Sequence, residues 1–339
     1  MITSSHLAAI EEPQVAAARI FSLIAAELAS VEEEFERQAR SNIQVIAYIG
    51  DYLRASGGKR VRPALTILST YAAGGTGAQP NVIRLATVME FLHTATLVHD
   101  DIIDNAETRR NRPSINSRFG NQTAVLMGDW LYMSAFEASL AERSLPVLDI
   151  LTAVTRRMTE GELLQLTTLG SSDVTEEQYF DILMRKTAYL FSACCEIGAM
   201  LGSGDAETQL ALRNYGMNLG AAFQLVDDLL DFTATDDVLG KAAGVDLLEG
   251  KLTLPLIYLL ETDRAWRADV QSVMRVGNYE AISRASLMRA AEESGAIERA
   301  RRRANDFATA ARKSLDVLPD TKYRDALSSI PTFILERDR

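Results

Sequence analysis

The chain has 339 residues, 47% of them hydrophobic and 24% charged, the profile of a folded globular protein rather than a disordered or fibrous one. A formal net charge of −11 sets the whole-molecule field against nucleic acid and anionic membrane, so a phosphate ligand would have to be held by local cations. The two cysteines, Cys194 and Cys195, are adjacent and point about 100° apart on a helix, which excludes an ordinary disulfide and predicts two small buried apolar groups in a reducing cytoplasm.

No basic segment followed by an apolar one opens the chain, and no run reaches about 18 consecutive apolar residues, so neither a signal peptide nor a membrane-spanning helix is expected. Apolar residues recur with the helical period almost throughout. Pro13 to Arg40 reads as one or two amphipathic helices, with Ile20, Leu23, Ile24, Leu28 and Val31 on a shared face. A helix over Ile43 to Ala55 stops at Gly57-Gly58, and Pro63 sits in the first turn of the next, which runs to about Ala73. After the turn cluster Gly74 to Pro80 comes a long helix broken by Asn105 to Ser114. Helices are predicted from Asn121 to Glu142, Pro146 to Leu169, Thr175 to Leu201 and Glu207 to Thr233, with Thr175 and Gln178 as a capping box. A loop rich in Gly and charge follows, and the segment from Pro255 to Arg339 returns to helix. These elements imply an all-α fold, a single large antiparallel helical bundle with a central apolar cavity. One domain over 1–339 is expected, with 1–42 as a helical segment packed on it.

The long helix carries Asp100, Asp101 and Asp104 within an arc of roughly 100°. Like charges so placed destabilise a helix unless a cation neutralises them. Asp227, Asp228 and Asp231 repeat the spacing, and each triplet is embedded in apolar sequence, which argues for a lined cavity rather than a solvated face. Oxygen ligands suit a hard ion, and Mg²⁺ in particular shares its positions with water and substrate phosphates. Both triplets lie near helix C-termini, where the dipole adds to the demand for a cation.

Gly57–Pro63 (GGKRVRP) places three cations on a tight turn opening a helix, a pattern suited to phosphate. Arg109 and Arg110 follow Asp104 closely, and Lys186, Lys241 and Lys251 add further positive charge. Carboxylates and cations together fit a diphosphate held through metal on one side and by direct ion pairs on the other. Ionisation of an allylic diphosphate needs that arrangement at the mouth of a dry, apolar pocket.

GGKRVRP, LVHDDIID followed by RR, GDWLYMSAF, Lys186-Thr187, FQLVDDLLD and GKAAGVDLLEGK resemble, in order and spacing, the all-trans polyprenyl diphosphate synthases, closest to the long-chain octaprenyl type that supplies quinone side chains. The resemblance runs from about Ile43 to the C-terminus. It implies sequential condensation of isopentenyl diphosphate onto an allylic diphosphate such as farnesyl diphosphate, with Mg²⁺ as cofactor, three ions per site with substrate bound. It implies Asp100, Asp104 and Asp227 as metal ligands, helped by Asp101, Asp228 and Asp231. Arg109, Lys186, Lys241 and Lys251 would hold the allylic diphosphate, and Thr187 and Gln224 would stand near the reacting centre. Lys59, Arg62, His93 and Arg110 would hold isopentenyl diphosphate. Short-chain relatives carry bulky aromatics where this chain has Ala95 and Thr96, so a long product is implied. Helix geometry puts Thr96 one turn below Asp100 but Ala95 off that face. The tunnel floor is open between Met89, Leu92, Met133 and Phe136, with Tyr132 and Phe136 read as core and His99 as a supporting hydrogen-bonding group. A cytoplasmic homodimer is implied, with no nucleic-acid partner and a peripheral membrane contact for product release.

Alternative functions are a shorter-chain, geranylgeranyl-type synthase, a terpene cyclase or a non-catalytic partner subunit. A cyclase would carry Asn or Asp, then Ser or Thr, then Glu in its second motif; a silent subunit would have lost part of a triplet or of the GGKRVRP cations. A di-iron bundle would need a second Glu-x-x-His beside Glu90–His93, and the chain has three His in all.

Overall fold

Helix packs on helix throughout this computed structural model, which describes residues 13–55, 57–110, 112–234 and 243–336. The elements are α1 Pro13–Ser22, α2 Ala25–Gln38, α3 Gln44–Ala55, α4 Val61–Ala72, α5 Pro80–Ile103, α6 Ile115–Phe119, α7 Asn121–Leu140, α8 Leu145–Thr168 and α9 Glu176–Leu183. After a π-helical turn at Met184–Ala188 come α10 Tyr189–Leu201, α11 Ala206–Thr233, α12 Val245–Leu248, α13 Leu254–Thr262, α14 Arg267–Val276, α15 Arg284–Glu293, α16 Ala296–Ser314 and α17 Lys322–Leu335. A two-residue hairpin, Thr108–Arg109 against Arg112–Pro113, fills the break after α5 and is the only strand pairing among the described residues.

The all-α reading holds, and most helix ends fall within two residues of the expected ones. Thr175 caps α9 as predicted: Gln178 N–H donates to its hydroxyl at 3.2 Å and Gln178 Oε1 accepts from Thr175 N–H at 3.0 Å. Pro63 lies in the first turn of α4, where the missing N–H has no helical acceptor to lose. The segment expected as one helix from Thr175 to Leu201 is interrupted by the π turn, an insertion that apolar periodicity does not reveal.

One contiguous buried cluster runs from Ile20 to Ile334, so the N-terminal helices share the core of the rest. Cys194 and Cys195 are free thiols within it, fully buried as expected. Helix directions follow from pairwise contacts. His99 near the end of α5 meets Val125 near the start of α7, while Arg84 near the start of α5 pairs with Glu142 just beyond α7, so the two run antiparallel. α10 and α11 are also antiparallel, with Thr187 opposite Gln224 and Ser192 opposite Arg213. Their close approach depends on Gly216 and Gly220: a Cβ on Gly216 would stand 2.5 Å from the Phe191 carbonyl oxygen, and one on Gly220 2.7 Å from Ala188 Cα. The consequence is that the C-terminal ends of α5 and α11, which bear the acidic triplets, reach the same end of the bundle.

Candidate active site

A cavity of about 1480 Å³ opens between those helix ends and continues down between α5, α7, α8 and α11. Its wall carries Asp100, Asp227 and Asp228 together with Lys59, Arg62, His93, Arg109, Arg110, Lys186 and Lys251, and also Thr187 and Gln224. Apolar or neutral side chains also line it: Thr96, Leu97, Tyr132, Phe136, Met158 and Phe223, with the largely exposed Met133. Lys241 lies outside the described residues.

Each cation is positioned by a local feature. Lys186 and Thr187 are consecutive, and the π turn that contains them brings both to the wall. Gly161 lets α8 lie against that turn, since a Cβ there would be 2.8 Å from Arg185 Cβ. Arg110 has φ 52 and Arg60 φ 47, left-handed conformations that cost energy in any residue but Gly and cluster at functional sites. Arg62 lies with its guanidinium carbon 5.0 Å from the Phe191 ring centroid, and its buried Nε has no hydrogen-bond partner among the described residues.

The acidic residues divide by role. Asp100 sits deep enough that burial, with Glu162 and Asp104 adding like charge, pushes its carboxyl up to about 7. Asp228 accepts from the Tyr179 hydroxyl at 2.5 Å and from Gln224 Nε2 at 2.8 Å, and Thr187 Oγ1 donates to Gln224 Oε1 at 2.8 Å. Burial pushes Asp228 up to about 6 even so. Asp104 caps the end of α5 and accepts from Lys251 Nζ through both oxygens at 3.1 Å. Burial alone would lower Lys251, but Asp104 and Glu249 together raise it above its usual value.

Three residues of the triplets, Asp101, Asp104 and Asp231, differ from the expectation that all point into the cavity; both oxygens of Asp104 are taken by Lys251. Asp101 is 2% exposed and turned to the flank, its carboxylate taken by Arg109 Nε at 2.7 Å and Nη2 at 2.6 Å. Asp231 accepts backbone N–H bonds from Val245 and Asp246 at 3.4 and 3.1 Å and so anchors the start of α12. The arc of roughly 100° spanned by such a triplet is wide enough for members to leave the shared face. From the other side Arg284 donates to the Ala234 carbonyl with both Nη atoms at 2.9 Å, and to those of Phe232 and Asp231 at 3.3 and 3.4 Å, closing the end of α11.

Ala95 is fully buried and off the wall, as helix geometry indicates, whereas Thr96 is on it. Of the four floor candidates Met133 and Phe136 line the cavity and Met89 and Leu92 are core. Tyr132 and Phe136, expected as core, are wall residues instead. His99 Nε2 donates to the Val125 carbonyl at 3.1 Å. Sequence reasoning missed Glu162, which pairs with Lys186 at 2.9 Å, and also Asp246 and Tyr179 on the wall. Glu162 and Asp246 stand among residues of both charge signs rather than in an acidic run, so only position on an inward face could have flagged them.

Among the described residues no three acidic or imidazole groups converge tightly enough to hold a metal ion by themselves. A desolvated Asp100 facing more carboxylate still demands positive charge, and an oxygen-only donor set of this kind fits Mg²⁺ sharing its coordination with substrate phosphates. The family model for polyprenyl synthetase matches residues 43–288. The chain belongs to that family. It is similar to the octaprenyl diphosphate synthase of Escherichia coli K12, with 37% identity over 95% of this chain and 99% of that protein. Among solved structures it resembles a decaprenyl diphosphate synthase from Rhodobacter capsulatus, TM-score 0.89 and 35% identity over 95% of this chain and 99% of that one. A polyprenyl synthase from Caulobacter crescentus complexed with calcium and isoprenyl diphosphate gives TM-score 0.88 and 34% identity over 95% and 98%. The polyprenyl synthetase described here is thus an enzyme, a trans-prenyltransferase of the helical-bundle type whose family depends on Mg²⁺. Among its described residues no helix is long and apolar enough to cross a membrane.

Proposed function

We propose that this synthase condenses isopentenyl diphosphate repeatedly onto an allylic diphosphate, giving an all-trans chain of about octaprenyl length for a quinone side chain. The observation that carries the reading is the polarity of one cavity: acidic helix ends and two groups of cations at its mouth, and a lining of apolar and small side chains below. A volume of about 1480 Å³ exceeds the roughly 300–1,000 Å³ of pockets for compact ligands, which supports a long product.

Lys186, Lys251 and Arg109 hold the allylic diphosphate, and the proposal extends this role to Lys241. Lys59, Arg62, Arg110 and His93 hold isopentenyl diphosphate. Asp100, Asp104 and Asp227 would hold Mg²⁺, three ions with substrate bound, with Asp228 aimed by Tyr179 and Gln224. Asp101 acts through Arg109, and Asp231 acts by fixing α12. Bound Mg²⁺ would neutralise the diphosphate and help it to leave.

The carbon–oxygen bond of the allylic diphosphate breaks, its carbon joins the double bond of isopentenyl diphosphate, and a proton is lost to the released diphosphate. The Thr187 and Gln224 oxygens border the space where positive charge develops, and the apolar lining keeps water from it. Thr96, lacking bulk, leaves the way down open.

A homodimer in the cytoplasm is part of the proposal, supported by the large apolar side chains that α7 exposes, Leu126 at 68%, Met133 at 62% and Val125 at 43%. A peripheral membrane contact would serve product release. Incubating the protein with isopentenyl and farnesyl diphosphates and Mg²⁺, then resolving the products by length, is expected to give mainly a long polyprenyl diphosphate. Products of short length only would overturn the length, and no product with intact folding would overturn the activity.

A further inference from the structure

Arg60 stands between two cations assigned to substrate, yet its own fork is already filled. Nη1 donates to Glu90 Oε1 at 2.7 Å, Nη2 to Glu32 Oε2 at 3.1 Å, and Nε to the other oxygen of Glu32. Its guanidinium carbon also lies 5.6 Å from the centroid of the Phe35 ring. Glu32 and Phe35 belong to α2, which precedes the span matched by the family model. Phe35 in turn stacks on Phe91, the neighbour of Glu90 on α5, with centroids 4.5 Å apart. A helix outside the matched span therefore reaches the substrate loop.

The loop needs such support. Arg60 takes the left-handed conformation at the N-cap of α4 and makes no side-chain cap bond. Arg60 and Arg110 both crowd Gly58, where a Cβ would lie 3.1 Å from Nη1 of the first and 2.9 Å from Nη1 of the second. Two guanidiniums so close repel each other. Glu90, 4% exposed, is the buried carboxylate facing Arg60, Arg62 and Arg110 together. Glu32 supplies the second negative charge, so that Arg60 is neutralised in place while Arg62 and Arg110 keep positive charge for an anion.

We propose that Glu32 is a positioning residue for isopentenyl diphosphate: by filling the fork of Arg60 it fixes the strained turn of Gly57–Pro63, and α2 thereby becomes a working part of the active site. This rests on the assignment of Lys59, Arg62 and Arg110 to isopentenyl diphosphate made above.

The test is steady-state kinetics on the full chain carrying Glu32→Gln, Glu32→Asp or Glu27→Gln. Glu27 lies on the same helix and accepts from the Tyr71 hydroxyl, away from the loop. Glu32→Gln is expected to raise KM for isopentenyl diphosphate about tenfold, in line with losses on removing supporting partners of ligating groups, with kcat and melting temperature unchanged. Glu32→Asp should recover part of the loss, and Glu27→Gln should leave both KM values alone. An unchanged KM in Glu32→Gln overturns the proposal, and so does an equal rise in Glu27→Gln, which would mean that docking of α2 is all that matters. A rise in KM for farnesyl diphosphate in place of isopentenyl diphosphate supports positioning by Glu32 and overturns the substrate assigned to the loop.

Discussion

Asp100 and Asp227 border one cavity from two helices, and both are expected to act on charge that appears only as the diphosphate departs. Removing one electrostatic contact of that class costs roughly 10²–10³ in kcat. Asp100→Ala and Asp227→Ala should each lose at least that much under saturating substrate, with the helical circular dichroism signal retained. His93 gives a pH signature. Burial first, then Arg62, Arg110, Arg109 and Arg60, hold its imidazole well below the ordinary 6.5, so the folded protein refuses a proton that the unfolded chain accepts. This contribution to stability is therefore complete above about pH 6.5 and is lost as pH falls below it. His93→Gln should flatten that part of the profile in urea unfolding; a variant that tracks the parent would show that His93 does not titrate as described. Product length separates Thr96 from Ala95. Thr96→Phe puts a ring on the wall and is expected to shorten the product, whereas Ala95→Phe overpacks a filled core and should cost about 1–3 kcal/mol of stability. Chromatography of the products and denaturant midpoints of the two variants check this.

Elements set the distances that single residues cannot. α11 carries Asp227 and Asp228 up to the mouth because Gly216 and Gly220 let it settle on the backbone of α10. Gly220→Val would have to move α11 off Ala188, and a loss of about 1–3 kcal/mol with a fall in turnover is expected from unfolding curves and initial rates. A variant as stable and active as the parent would show that the helix contact yields freely. Much of this architecture was legible before any coordinates. Apolar periodicity, the Thr175–Gln178 box and Pro63 located helices and ends, because each reports a local energy. The π turn at Met184–Ala188 was not legible, since it widens one turn without disturbing the apolar pattern around it. The site was legible where chemistry repeats, as in the paired acidic runs. It was not legible where one face had to be chosen: Asp101 bonds Arg109, Asp231 bonds the backbone of α12, and Glu162 is one of several charged residues on α8.

At the scale of the whole molecule, a net charge of −11 coexists with a mouth that gathers cations, so the basic residues work as a local patch within a repelling field. The exposed apolar residues of α7 lead to a prediction about assembly. Sedimentation at micromolar concentration should show a dimer, and Leu126→Glu should release monomers; a parent that sediments only as a monomer would remove the paired state. Arg284 carries the widest consequence. It belongs to α15, far along the chain from the acidic run whose last carbonyls it secures. A shortened gene that stopped just before it would keep both aspartate runs and every cation assigned to substrate, yet would leave the second run on a helix with a fraying tip. The last sixth of the polypeptide is in that sense a mooring for the catalytic half, and a minimal enzyme cannot be cut by motif alone.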